Sequence, residues 1–428
     1  MTSVKIAIFV LLSIGIQLNT TAQDIEYAKK CIKKLSSPQL HGRGYVKKGD
    51  LKAARFIATE FEDIGLESLS EGYFQSFNFS VNSFPSKMIL KVDNTTLEPG
   101  YDFLISPSSP SIKGEFPVCI LNKYTGVSEL IKILNGYKHP FVLAVDWFEL
   151  EELSDSLKSN LNSVLNEIHK KGSRKIVAIL DYSKTKLTWT GSTVLFEIPR
   201  FTVKSEKFPL VESSEIYFNV KNEFIEQYSS RNIIGLLEGA NRDSIIVVSA
   251  HYDHLGRMGK SCYFPGANDN ASGVALMLNL AKELKKEDRP YSILFIAFAG
   301  EEIGLLGSGH FVQYPLVDLN KIIFLLNLDI AGTGDEGIQI VNGSIHKEKF
   351  ELIESINSNA NLLTNIKTRG AACNSDHCHF HERNVPSFFM YTLGGIKAYH
   401  DVYDKYETLP LTAYDGYFKL LKRFILSL

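Results

Sequence analysis

The sequence predicts an α/β protein: a mixed, largely parallel central sheet flanked by helices, with a smaller α/β domain inserted into it. Three observations carry that expectation. Apolar runs at residues 245–249, 292–298 and 322–329 read as strands, and they alternate with helical stretches at 271–286 and 303–313. That alternation is the grammar of parallel strands joined by crossover helices. A second strand-rich unit occupies residues 106–220. The chain has 428 residues, 44% of them hydrophobic and 22% charged, which is enough apolar material for two or three folded units and too much for disorder.

Residues 1–22 are expected to be a leader rather than part of the fold. Lys5 precedes an apolar run over 6–16, and Thr20, Thr21 and Ala22 offer a small-residue exit before Gln23. A basic start, a short apolar core and such an exit describe a secretory signal peptide cleaved near Ala22. The run falls short of the roughly 20 residues that span a bilayer. Residues 23–105 are then expected to form the first part of the domain that carries the central sheet. Helices are expected at 24–36 and 50–66; in the second, Ala54, Ile57, Ala58, Phe61 and Ile64 repeat at three- and four-residue steps and make one apolar face. The pattern turns strand-like over 75–105, and the Pro/Ser-rich stretch 106–110 breaks it.

The inserted unit, 106–220, is expected to hold strands near 117–121, 141–145 and 175–180 and a polar helix at 149–171. Only His139 and His169 fall there, with no acidic cluster beside them, so a structural or substrate-shaping role is expected. The rest of the central-sheet domain is expected at 221–428, where eight of the eleven histidines lie.

Lys and Arg number 46 against 48 Asp and Glu, for a formal charge of -2. A nucleic-acid binder would carry a basic surplus, so no nucleic-acid partner is expected. The balance and the lack of a long apolar segment likewise speak against stable membrane insertion. The oligomeric state stays open. Five cysteines are too few for a disulfide scaffold, and the odd number leaves one thiol unpaired within the chain. Cys373 and Cys378 are the nearest pair, although sequence alone does not join them.

In open α/β sheets, ligands bind beyond the carboxyl ends of the strands, and the acidic and histidine residues fall there. The first strand runs into Ala250, His251, Tyr252, Asp253 and His254. The second runs into Glu301 and Glu302, and the third ends at Asp329. A glycine-flanked loop carrying Asp269 opens the helix between the first two strands, and His400 comes near the C-terminus. Each has a plainer reading: Asp269 could cap the helix, and Glu301 and Glu302 could sit in a helix's first turn, where carboxylates suit the macrodipole. Four successive segments each delivering a carboxylate or imidazole weaken that reading together. Imidazole and carboxylate without clustered cysteine suit zinc in a catalytic site. A pair of ions about 3.5–4 Å apart would need a bridging carboxylate, and a neighbouring carboxylate outside the ligand set could move a proton.

The stretches AHYDHLG (250–256), GANDNASG (266–273), AGEEIGLLGS (299–308), NLDIAG (327–332), NSDHCHF (374–380) and YHDVYDKYETL (399–409) resemble the M28 metallopeptidases, the secreted dizinc aminopeptidase family. The resemblance covers about 225–428 in order and reaches back to LHGRG (40–44) and the helix near 50–66. It implies a phosphorylase/hydrolase-like zinc peptidase fold and two Zn2+ ions per chain. His251, Asp269 and Asp329 would hold one ion; Asp269, Glu302 and His400 the other, with Asp269 bridging. Glu301 would be the general base that takes a proton from water and returns it to the leaving amine. Asp253 would orient the His251 imidazole, and Tyr399 would donate to the developing oxyanion. Asp376 and His377 match an element that supports the substrate pocket; His379, His381 and Cys262 carry no matching role. The insert resembles a protease-associated domain, with residues 198–203 as its closing strand, and such inserts cover the active-site mouth in relatives.

The function this implies is an exported zinc exopeptidase, foremost an aminopeptidase acting on peptide substrates. Its rivals are a glutaminyl-peptide cyclotransferase on the same fold, a carboxypeptidase of the same family, and a non-catalytic binding protein on a peptidase scaffold.

Overall fold

A computed structural model describes residues 25–205 and 208–428; the expected leader, 1–22, lies outside the described residues. Two large mixed sheets organise the chain. The first has nine strands, in the order Glu67–Ser68, Glu223–Leu237, Tyr291–Phe298, Asn241–His251, Ile322–Asp329, Ser387–Thr392, Ile338–Val341 and Ile366–Thr368, with Phe74–Ser83 also paired to Glu223–Leu237. The four strands from Tyr291–Phe298 to Ser387–Thr392 are mutually parallel, and antiparallel strands flank them on both sides. The expected fold class is therefore observed, with parallel pairing at the centre and again between Ile338–Val341 and Ile366–Thr368 at one edge.

The helix Gly273–Leu284 lies over this sheet, and every residue in it except Lys282 is buried. An all-round apolar helix must be enclosed, and it packs between the strands and the helices Ile25–Leu35 and Tyr414–Leu426. At its start, a Cβ on Gly273 would stand 2.7 Å from the Leu328 carbonyl oxygen. Glycine is what lets the Asp269 loop close on the end of the strand that carries Asp329. The helix expected at 50–66 is Gly49–Ile64, with Ala54, Ile57, Ala58, Phe61 and Ile64 all buried. It stops at Gly65, whose φ of +78° lets its N–H reach the Phe61 and Glu62 carbonyls.

The second sheet has eight strands, in the order Thr95–Thr96, Ile89–Val92, Glu215–Val220, Ile112–Leu121, Phe141–Asp146, Ile176–Ser183, Arg200–Lys204 and Phe103–Ile105. Residues 89–105 thus belong to it, which corrects the expected boundary at 106. The Pro/Ser-rich stretch is a corner inside the unit, with Ser108 and Ser109 buried, rather than a break between units. The Ser106 N–H donates to the Arg200 carbonyl, and the Asn82 amide donates to the Pro107 and Ser109 carbonyls. The helix expected at 149–171 begins only at Asp155, because the Ser154 hydroxyl caps it by accepting from the Leu157 N–H. The helix expected at 303–313 begins at Leu306, since residues 301–305 form a turn closed by the Glu301 carbonyl.

The two sheets share an apolar core. Strand residues Phe103, Phe201 and Phe218 of the second sheet belong to the same buried cluster as Leu255, Met258, Phe264 and Val402 from the loops of the first. Among the described residues, no helix is long and apolar enough to cross a membrane.

Candidate metal centre

The centre forms where the chain's path across the first sheet reverses. From Asn241–His251 the chain crosses to Tyr291–Phe298 on one side, and the next central strand, Ile322–Asp329, lies on the other side of Asn241–His251. Such a reversal opens a crevice at the carboxyl ends of the strands. Register then sets what arrives there: Ser249 pairs with Asn327 and His251 with Phe298, so His251, Asp329 and the Glu301–Glu302 turn reach one edge together.

The Asp269 loop is fixed from several directions. The Asp404 carboxylate accepts from the N–H groups of Asn268 (2.8 Å) and Asp269 (3.0 Å). The Asn268 side-chain oxygen accepts from the Gly332 N–H, and the Ser272 hydroxyl accepts from the Ala331 N–H. Arg43, fully buried, spends all five of its N–H donors on main-chain carbonyls: Tyr252, Leu35, Pro265, Gly266 and Asp269. Burial pulls its guanidinium down to about 10, opposed by the nearby Asp269, Asp404, Asp253 and Glu302 carboxylates. It stays charged, and it locks helix, strand end and loop into one unit.

The distances are those between donors to a shared metal ion. His251 Nε2 lies 3.4 Å from Asp269 Oδ1 and 3.4 Å from Asp329 Oδ1. His400 Nε2 lies 3.1 Å from Asp269 Oδ2 and 3.2 Å from Glu302 Oε2. Two donors at about 2.1 Å from one zinc, set at the tetrahedral angle, stand about 3.4 Å apart. The two oxygens of Asp269 face different imidazoles, as a bridging carboxylate requires. His251, Glu301 and Asp329, and likewise His251, Asp269 and Glu302, bring their donor atoms within 4.8 Å of one another.

Electrostatics agree with that donor set. Burial would pull both imidazoles down. Instead Glu301, Asp329 and Asp269 hold His251 well above the usual histidine range, and Asp269 and Glu302 hold His400 at about 11. The Glu301 carboxyl is pushed well above its usual range by burial first, and then by the Asp376, Glu302 and Asp329 carboxylates, against the opposing effect of His251. The carboxylates of Asp269, Glu301, Glu302 and Asp329 outnumber the imidazoles of His251, His254 and His400 around them, an excess of negative charge that divalent cations would neutralise. The residues therefore fit zinc.

The sequence-expected residues come together, with one correction. Asp253 Oδ1 lies 3.9 Å from His251 Nδ1, too far for a hydrogen bond. The nearer partner of that nitrogen is the main-chain carbonyl of Asp253, at 3.2 Å. The carboxylate instead accepts from the Glu301 N–H at 3.1 Å and the Tyr45 hydroxyl at 3.3 Å. It ties the His251 segment to the Glu301 turn because the two segments end side by side on neighbouring strands.

Tyr399 stacks on His400 with centroids 4.0 Å apart and lines the cavity of about 190 Å³ above the cluster. Ile330, Asn374, Phe389 and Tyr391 form the rest of its wall. His377 stacks on Phe389 and bonds the Ala372 carbonyl through Nε2, while Asp376 is fully buried. His379 and His381 line no part of the cavity, and Cys262 is buried in the apolar core that the two sheets share. Cys373 and Cys378 are joined by a disulfide, which closes the loop bearing Asn374.

Three residues of the centre carry no role in the sequence reading. His254 is buried with Nδ1 2.6 Å from Glu302 Oε1, and Arg43 and Asp404 hold the Asp269 loop. All three lie inside the motif stretches, which was their only signal.

Residues 232–425 match Peptidase family M28. Over 166 residues the chain is 34% identical to Aminopeptidase YwaD of Bacillus subtilis (strain 168), covering 37% of this chain and 35% of that one. It is 27% identical over 203 residues to a probable leucine aminopeptidase of Trichophyton verrucosum, covering 44% of this chain and 52% of the relative. The matched stretch thus spans between about a third and a half of these curated relatives. Among solved structures, a zinc aminopeptidase from Bacillus subtilis superposes with a TM-score of 0.67 at 21% identity over 94% of both chains. An aminopeptidase from Aneurinibacillus sp. strain AM-1 does so at 0.61 and 20%, over 95% of this chain and 94% of the other. These likenesses show the fold, and their span takes in the second sheet.

Proposed function

We propose, from the match of residues 232–425 to Peptidase family M28, that the chain is a dizinc aminopeptidase, exported by its N-terminal leader, that removes N-terminal residues from peptides. The observation that carries the proposal is Asp269, whose two oxygens face the His251–Asp329 pair on one side and the His400–Glu302 pair on the other. When bound, two zinc ions supply Lewis-acid activation of water and of the scissile carbonyl.

The chain's own residues complete the chemistry. Glu301, whose carboxylate lies within 4.8 Å of the His251 and Asp329 donor atoms, stays outside both ligand groups in this assignment, and it accepts a proton from the attacking water. As the water oxygen bonds to the carbonyl carbon and the C–N bond breaks, that proton passes to the leaving amine. Burial, and then the surrounding carboxylates, push the Tyr399 hydroxyl up, so it stays protonated and donates to the carbonyl oxygen as charge gathers there. Ile330, Phe389 and Tyr391 give the N-terminal side chain an apolar wall, and the carboxylate excess receives the α-ammonium group. The cavity of about 190 Å³ has room for little beyond one residue, which suits cleavage at a chain end. Peptides are the proposed partners, and no role with nucleic acid or within a membrane is proposed.

End-blocking tests this reading. Purified, zinc-loaded enzyme should release the first residue from a free peptide and from its C-terminal amide, and should leave the N-acetylated peptide intact. Equal cleavage of the acetylated peptide, or cleavage stopped by the amide, would contradict an aminopeptidase. Loss of ammonia from an N-terminal glutaminyl peptide without chain cleavage would instead identify the cyclotransferase.

A further inference from the structure

We propose that the unit built on the second sheet supplies a positioning residue, Lys186, whose ammonium braces the turn presenting His400. The Lys186 Nζ has three donors, and all three go to that turn. Asp401 Oδ2 lies at 2.7 Å, the Lys397 carbonyl at 2.7 Å and the Tyr399 carbonyl at 3.2 Å. The Asp401 carboxylate is buried, and its other oxygen accepts from the Tyr403 N–H at 2.8 Å. A buried carboxylate without a counter-charge is costly, so the pair fixes where the turn sits.

The turn has a conformation to be held. His400 adopts a left-handed φ of +53°, which a non-glycine residue keeps only when its surroundings enforce it. The same segment of the second unit makes a further contact three residues on, where the Trp189 N–H donates to the His400 carbonyl at 2.9 Å. Trp189 is itself anchored, its indole N–H bonding the Ile105 carbonyl at 2.7 Å and its ring stacking on Phe264, which precedes the Asp269 loop. At Gly191 the segment passes so close to the Glu301–Glu302 turn that a Cβ would stand 2.2 Å from Ile303 Cγ2.

The segment 186–191 therefore touches the supports of two ligands, His400 and Glu302, while lying in the connection between two strands of the second sheet. The unit is part of the metal centre's scaffold as well as its neighbour. Lys186 touches no reacting atom, and its effect passes through the orientation of His400. The consequence for zinc rests on the proposed dizinc site, whereas the brace itself does not.

Amide exchange on the metal-stripped full chain tests the brace alone. In Lys186→Met the Trp189 and Tyr403 amides should exchange at least ~10-fold faster than in the wild type, with the rest of the first sheet unchanged; unchanged rates at both would overturn the brace. Zinc affinity, measured by competition with a chromogenic chelator, should then fall ~10-fold in Lys186→Met for one ion and not the other, in the range seen when supports of metal ligands are lost. The Lys186→Arg variant, which keeps the charge, should restore it. Loosened amides with both zinc affinities intact would overturn the positioning role. A wild-type chain that takes up no zinc would mark failure of the proposed function, visible before any variant is compared.

Discussion

Glu301→Gln is expected to lower kcat about 10³-fold, or ~4 kcal/mol, while both zinc ions stay bound. Glutamine keeps the side chain's size and the main-chain bond from the residue 301 N–H to Asp253, so the turn carrying Glu302 should not move. What is lost is the one carboxylate in the cluster that neither ligand group requires. The two groups, His251–Asp269–Asp329 and His400–Asp269–Glu302, survive intact. KM should change little, because the wall formed by Ile330, Phe389 and Tyr391 is untouched. Steady-state kinetics and elemental analysis on the same preparation check both halves. Wild-type turnover by this variant would remove Glu301 from the proton path.

Asp269→Ala should have the larger structural consequence, weakening both ions by more than about 100-fold, since even supports of metal ligands are worth 10–100-fold. One substitution removes the oxygen facing His251 and the oxygen facing His400. The loop should nevertheless keep its path, because its anchors are made to the main chain: Asp404 accepts from two N–H groups, and Arg43 donates to the residue 269 carbonyl. Zinc content near zero in a chain with a native circular dichroism spectrum is the expected outcome. Retention of both ions would refute the bridge, and retention of one would place Asp269 in a single ligand group.

The strand ends were legible because parallel strands expose their chemistry locally. His251, Glu301 with Glu302, and Asp329 each follow an apolar run that announces itself, and the sheet register then aligns them. The arrangement behind them was not. Arg43 reaches carbonyls more than two hundred residues away, and Asp404 caps a loop one hundred and thirty-five residues earlier, so no periodicity records either contact. The strand Glu223–Leu237 went unread, because its first half mixes exposed and buried positions and lacks a continuous apolar run. The domain boundary was misplaced for a related reason. Proline and serine at 106–110 read as a break by composition, but tertiary hydrogen bonds fold them into a corner in which Ser108 and Ser109 are buried. Asp253 was assigned the wrong partner because two residues of spacing say nothing about which way a side chain turns after a strand ends.

Zinc titration of the metal-stripped chain, with hydrolysis of an aminoacyl fluorogenic substrate followed at each addition, tests the dizinc aminopeptidase most directly. No hydrolysis should occur without metal, and activity should rise until zinc reaches two equivalents per chain and stay level beyond. Full activity in the stripped chain, or full activity at one equivalent with no uptake of a second, would contradict it.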